Sequence, residues 1–289
     1  MRNPQSARLV ALAVVLVLAC RAREPAAETG PLRVISLSPS TTGIAVALGR
    51  RAALVGVDQY SHALPGLGDL PSLGGLFAPD LERALELRPT LVLGVRSESQ
   101  AAFFAQLRAR GVRAYEIDSS GSLEQVLGTY EAVGEQIGRG PEARELVVQV
   151  REQLAGVARS VAGLARPSVA LIVEREPLYV AAGGSFASAL IAAAGGRNVF
   201  ADLASAYPQV SLELLAERAP EVLIDSTQGQ AIGPEAERAA CAYWSRFGFV
   251  RRVELVPPGV ATQPGAQLAE GARILRARVH PELVTSATP

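Results

Sequence analysis

Apolar positions in the middle of the chain repeat with helical spacing over an unusually long stretch. Between Pro141 and Leu164, residues Leu146, Val147, Val150, Leu154, Val157, Val161 and Leu164 form one stripe, while Arg144, Glu145, Arg151, Glu152 and Arg159 occupy the rest of the circumference. Gly140 and Pro141 mark the start, with proline where a first helical turn tolerates it. About 24 residues at roughly 1.5 Å rise make a rod of about 36 Å. On both sides, short apolar runs alternate with amphipathic segments. The pattern predicts a strut between two α/β halves; an ordinary packing helix of a single domain is the alternative reading.

In the first half, Arg33–Leu37 reads as a strand, and Ser40 as the cap of a helix that ends at Leu48 before Gly49. Ala53–Val57 reads as a second strand, followed by an irregular stretch, Asp58–Pro79. Asp80 caps a short helix, Leu81–Leu87, which Pro89 stops; Leu91–Val95 is a buried strand, Ser97–Arg110 a helix and Val112–Ile117 a strand. Ser122 and Gln125 are spaced as a capping box for the helix Ser122–Gly138.

The second half restarts the alternation with strand Ser168–Val173, a short extended piece at Tyr179–Ala181, and helix Phe186–Ala194 stopped by Gly195 and Gly196. Ser211 caps helix Leu212–Arg218. Strand Val222–Asp225, helix Glu235–Arg246 with Trp244 inward, strand Val253–Val256 and a final helix Gly265–Val279 complete the half. Asp80–Leu93 and Ser211–Ile224 align without a gap at an offset of 131, pairing Leu81 with Leu212, Glu82 with Glu213 and Pro89 with Pro220. The expected architecture is α/β: two similar lobes, 32–139 and 167–289, each a small, mostly parallel sheet flanked by helices, bridged by one long helix over 140–166. A cleft between two such lobes is the natural place for a small ligand.

The beginning of the chain changes the picture of location. Arg2 and Arg8 flank an unbroken apolar run, Leu9–Ala19, too short to span a membrane and suited to a signal peptide over 1–19. Ala19-Cys20 resembles a bacterial lipoprotein cleavage site, which makes Cys20 the candidate lipidated residue, 20–31 a tether, and the protein membrane-anchored on the periplasmic or extracellular face. Cleavage elsewhere, with Cys20 incidental, is the alternative. Charge is balanced at 28 basic and 28 acidic residues, so nothing points to nucleic acid. Every basic residue is an arginine, and aromatic content is only 5%. An acylated Cys20 leaves Cys241, read as a small buried hydrophobe, without a disulfide partner. With His62 and His280 as the only histidines, no His/Cys cluster is available for a metal.

Five motifs in order, RVISLSPSTTGIAVALG (Arg33–Gly49), LVGVDQYS (Leu54–Ser61), LERALELRPTLVLG (Leu81–Gly94), YPQVSLELLAERAPEVLI (Tyr207–Ile224) and QPGAQLAEG (Gln263–Gly271), resemble the substrate-binding proteins of ABC importers for cobalamin, haem and ferric siderophores, and among these the cobalamin binders. The resemblance implies two α/β lobes on one long helix and a monomer that binds and releases a transported metal chelate, without enzymatic activity or a resident cofactor. It implies that Glu82 and Glu213, one per lobe, dock on arginines of the importer's transmembrane permease. It maps ligand contacts to Pro39, Tyr60, Gly74, Gly75, Tyr179, Tyr207 and Gln263. Several aromatic positions of the cobalamin binders are not kept: Tyr207 stands where tryptophan is usual, Val95 and Leu73 or Gly74 replace others, and Gln263 stands where arginine is frequent. Haem or a ferric siderophore is therefore the alternative cargo.

Two other classes fit less of the chain. A surface hydrolase would draw on Ser36, Ser38, Ser185 and the two histidines, yet no G-x-S-x-G elbow is present, and His280 reads as a solvated or dipole-stabilised residue at a helix end. His62, in the loop after Tyr60, is the histidine that could face the cleft. An orphan binding lipoprotein without a permease would not need both Glu82 and Glu213.

Overall fold

The computed structural model describes residues 30–75, 78–118, 121–227, 232–265 and 267–285. The predicted signal segment and Cys20 lie outside the described residues, as does the tether up to residue 29. From Leu32 onward the described residues form one compact unit.

Runs rich in valine, isoleucine and leucine form two sheets, one on each side of the long helix in the chain. In the first, β1 (Val34–Ser36), β2 (Leu54–Val57), β3 (Leu91–Val95) and β4 (Arg113–Ile117) are all parallel, in the order β2-β1-β3-β4. β1 is buried at every position and β3 at all but its last, as parallel strands covered on both faces require. Helices α1 (Pro39–Ala47), α2 (Leu81–Glu86), α3 (Glu98–Ala109) and α4 (Leu123–Gln136) belong to this half. The capping box of Ser122 and Gln125 forms as the spacing predicts. The cap of α1 is Ser38 rather than Ser40. Pro39 takes the first helical position, where its missing N–H is not needed, and the Thr41 amide donates to Ser38 Oγ at 3.2 Å.

The long helix α5 runs from Gly140 to Ser160. Its stripe of Ala143, Val147, Val150, Leu154 and Val157 is buried against α4 and against two helices of the second half, α6 (Phe186–Ala193) and α10 (Leu268–Val279). The helix stops a turn earlier than its apolar pattern predicts. Gly163 adopts a left-handed φ of 83°, and Leu164 is exposed.

In the second sheet, β5 (Ser168–Arg175), β6 (Leu178–Val180), β8 (Val222–Asp225) and β9 (Val253–Leu255) run in the order β6-β5-β8-β9, with a short β7 (Arg197–Asn198) also on β5. Only β6 is antiparallel. Helices α7 (Leu212–Arg218), α8 (Pro234–Ser245), α9 (Pro258–Thr262) and α11 (Glu282–Thr285) complete this half. The predicted final helix is α10, starting at Leu268 rather than Gly265, and the short α9 that Pro258 starts before it is one the pattern does not predict. Trp244 is buried, but Cys241 is exposed: the inward positions of α8 are Ala240 and Trp244, and Cys241 falls one residue off that stripe. His280 is buried rather than solvated, its Nδ1 paired with Glu282 Oε1 at 2.8 Å.

The sequence echo is a structural echo. Asp80 and Ser211 cap α2 and α7, each accepting from the amide three residues on, at 3.0 and 3.1 Å. At the other ends, Arg88 and Ala219 adopt left-handed φ values of 46° and 43°, each just before a proline, Pro89 and Pro220. A proline disfavours the α conformation in the residue before it, so each helix ends in a left-handed turn and drops directly into a strand. Among the described residues these are the two non-glycine residues with positive φ. Ala219→Gly is expected to raise stability by up to about 1 kcal/mol, since a Cβ is unfavourable in this conformation; a higher urea midpoint at unchanged slope is the reading that checks it.

Candidate ligand groove

The loops leaving the carboxyl ends of β1 and β2, where open α/β sheets gather ligands, carry Pro39 and Tyr60 to one groove. The same groove is lined by Phe186 and Leu190 of α6, Val260 and Gln263 around α9, and Leu268 and Ile274 of α10. The cavity measures about 810 Å³. Its wall is largely apolar, and Tyr60 on it is 52% exposed.

A buried chain of hydroxyls holds the first-half wall. Ser38 Oγ contacts Ser40 Oγ at 2.9 Å and Thr41 Oγ1 at 3.0 Å; Thr41 Oγ1 lies 2.7 Å from Ser36 Oγ, to which Thr42 donates at 2.8 Å. Thr42 Oγ1 is 3.0 Å from Ser61 Oγ, which in turn donates to the buried Asp58 carboxylate. Asp58 Oδ1 accepts the amides of Tyr60 at 2.8 Å and Ser61 at 3.1 Å. Each of these buried polar groups has a partner, so the turn carrying Tyr60 is tied to the turn carrying Pro39. The serines that a hydrolase would need are spent here: Ser36 in this chain, and Ser185 in capping α6 through the Ser188 amide at 3.1 Å.

The floor joins the two halves directly. Tyr130 of α4 donates its hydroxyl to the Gly265 carbonyl at 2.5 Å, and the Phe186 amide donates to the Gly121 carbonyl at 2.9 Å. Burial pushes the Tyr130 phenol well above its ordinary pKa, so it remains a donor.

Of the predicted contacts, the structure brings Pro39, Tyr60 and Gln263 together around the groove. Gly74 and Gly75 lie behind it: the Gln59 amide donates to the Gly74 carbonyl at 2.9 Å, and a Cβ at Gly75 would lie 3.4 Å from Gln59 Nε2. Tyr179 and Tyr207 are not among its lining residues. Tyr179 is half-buried in β6 and bridged to Gln209, and Tyr207 is half-buried against the main core, where burial raises its phenol pKa. His62 turns into its own loop, Nε2 2.8 Å from the Leu70 carbonyl. Gln59, Gln267 and Glu270 also line the groove; they fall inside the motifs LVGVDQYS and QPGAQLAEG but are not predicted as contacts there. Glu82 and Glu213 stand exposed in the first turns of α2 and α7. Backbone and Ser211 hydrogen bonds hold the Glu213 carboxyl below its usual range.

The chain belongs to the periplasmic binding protein family, whose sequence profile matches residues 34–240. It is 31% identical over 196 residues to the vitamin B12-binding protein of Photorhabdus laumondii subsp. laumondii, an alignment covering 68% of this chain and 71% of that protein. The solved periplasmic haem-binding protein of Pseudomonas aeruginosa superimposes with a TM-score of 0.73 at 26% identity, over 87% of this chain and 94% of its own. The vitamin B12-binding protein of Vibrio cholerae, at 21% identity and a TM-score of 0.69, covers 89% of this chain and 98% of its own and shows the same fold. Membership places the chain among extracytoplasmic binding proteins and not among enzymes, which removes the hydrolase alternative.

Proposed function

We propose that the protein captures a large metal chelate, cobalamin or a related corrinoid, in this groove and delivers it to an ABC importer permease. The observation that carries the reading is the groove itself: about 810 Å³, largely apolar, with Pro39, Tyr60 and Gln263 among its lining residues. A flat ring with a polar tip suits a macrocycle. The identity to a vitamin B12-binding protein supports a corrinoid, and the likeness to a haem-binding protein keeps haem as the second reading. We read 32–139 and 167–289 as the two lobes, Glu82 and Glu213 as the docking charges, and Cys20 as the anchor of a monomer.

Thermal unfolding of the purified chain, in mild detergent, with and without cobalamin tests the cargo. Ligand at about a hundredfold over its dissociation constant adds roughly 2.7 kcal/mol, which raises the midpoint of a chain this size by about 5–10 °C. No shift at saturating cobalamin, with a shift on adding haemin, would transfer the assignment to haem.

A further inference from the structure

We propose that the groove is built for a chelate whose rim is fringed with neutral amides and that it rejects one fringed with carboxylates; this rests on reading the groove as the chelate site. Among its described lining residues, the polar side chains are the amides of Gln59, Gln263 and Gln267, the Tyr60 phenol and the Glu270 carboxylate, with no arginine or histidine. A glutamine amide both donates and accepts, so it pairs with a primary amide in either orientation. Two of the three amides rest against glycine. A Cβ at Gly75 would lie 3.4 Å from Gln59 Nε2, and one at Gly259 would lie 3.2 Å from Gln263 Oε1. A Cβ at Gly259 would press on the Gln263 amide, so that glycine makes room for it, whereas one at Gly75 would reach only ordinary van der Waals contact with Gln59.

The charges point the same way. Glu270 is the one ionisable carboxylate on the described lining, and Arg273, the cation next to it on α10, is already bonded to it at 3.1 Å. A carboxylate brought into the groove would shed water, meet the Glu270 carboxylate and find no free cation on the described lining, which is unfavourable. A primary amide can both donate to and accept from the glutamine side chains. Corrinoid rims carry acetamide and propionamide arms, whereas the rim of iron protoporphyrin carries two propionates, so this rim chemistry favours the first over the second.

Matched pairs separate the rim from the ring. Calorimetric titration of the full chain in detergent would compare a cobinamide with the corresponding corrin polycarboxylic acid, and iron protoporphyrin with its bis-amide. Within each ring that binds, the amide form is expected to bind at least about tenfold more tightly; a carboxylate form that binds as well or better overturns the inference. If only the porphyrins bind, and the bis-amide is preferred, the inference stands and the corrinoid assignment falls. If neither ring binds in either form, the reading of the groove falls, and this inference with it. Gln263→Arg is expected to raise affinity for the carboxylate forms by about tenfold by supplying the missing cation. Gln267→Arg serves if the first variant unfolds early, and no gain in either also overturns the inference.

Discussion

If Glu82 and Glu213 are the docking charges proposed above, reversing both, Glu82→Arg with Glu213→Arg, is expected to abolish delivery to an importer permease while leaving chelate affinity unchanged. Both side chains are exposed in the first turns of α2 and α7, and neither lines the groove. Arginine at a helix N-terminus opposes the dipole by about 0.3–1 kcal/mol at each site. That is small beside the roughly 5–15 kcal/mol that typically holds a domain folded, so the variant should fold. Across an interface, placing like charges together is worth several kcal/mol, and two such sites together weaken docking by roughly a thousandfold. Stimulation of ATP hydrolysis by the reconstituted importer is the measurement, with calorimetric titration of chelate beside it. Stimulation that persists would remove the docking assignment, and a parallel loss of chelate affinity would show that these residues act on the groove. The 131-residue echo is what makes the pair informative. The cap, the acidic first turn, the left-handed exit and the proline recur in both copies, so two equivalent surfaces present one charge each.

Much of this fold is legible because local rules and burial agree. Continuous apolar runs that follow a proline mark β1, β3, β5 and β8, and the single stripe of α5 has nowhere to be buried except against neighbouring helices. Failures cluster where two local signals compete. Ser38 and Ser40 both suit a cap, and Pro39 decides between them because it must begin the helix. Gly265 reads as a helix start, but the backbone from Pro258 to Pro264 makes its own turn first. Cys241 is apolar by type, and only its angular position on α8 puts it outside.

The site is legible in part for a related reason. Pro39, Tyr60 and Gln263 sit in motifs next to strand ends or helix starts, so their proximity comes from topology. Gln59 and Gln267 carry no periodic signal, since an amide reads as surface until a groove is seen beside it. The hydroxyl chain from Ser40 to Asp58 shows the same limit: serines and threonines in SLSPSTT look like turn residues, yet Ser36, Ser38, Ser40, Thr41 and Thr42 are all buried and bonded. The polarity of these side chains is a property of the sequence, and their burial is a property of the fold.

Asp225 concentrates the largest stability effect expected from a single residue. It is fully buried at the carboxyl end of β8, and its two oxygens collect donors from three residues. Oδ2 accepts from Trp244 Nε1 at 2.6 Å and from Arg175 Nε at 2.9 Å, while Oδ1 accepts the Thr227 amide at 2.9 Å and its hydroxyl at 2.8 Å. Arg175, only 17% exposed at its side chain, also lies over the Tyr243 ring, 4.5 Å from its centroid. Removing the carboxylate would strand a largely buried guanidinium, an indole N–H and the Thr227 donors together. Breaking a buried ion pair from one side typically costs about 3–5 kcal/mol, because the remaining charge is uncompensated. Asp225→Ala is therefore expected to lower the thermal midpoint by about 6–20 °C. Asp225→Asn keeps an acceptor and much of the shape while losing the charge, so it should recover a part of that loss. If the two variants fall equally, the charge on Asp225 is what matters; if Asn is close to the parent, the hydrogen bonds are. A midpoint in Asp225→Ala within about 2 °C of the parent would mean that Arg175 and Trp244 find water or new partners when the strand end relaxes, and that this cluster is not what fixes the end of the second sheet.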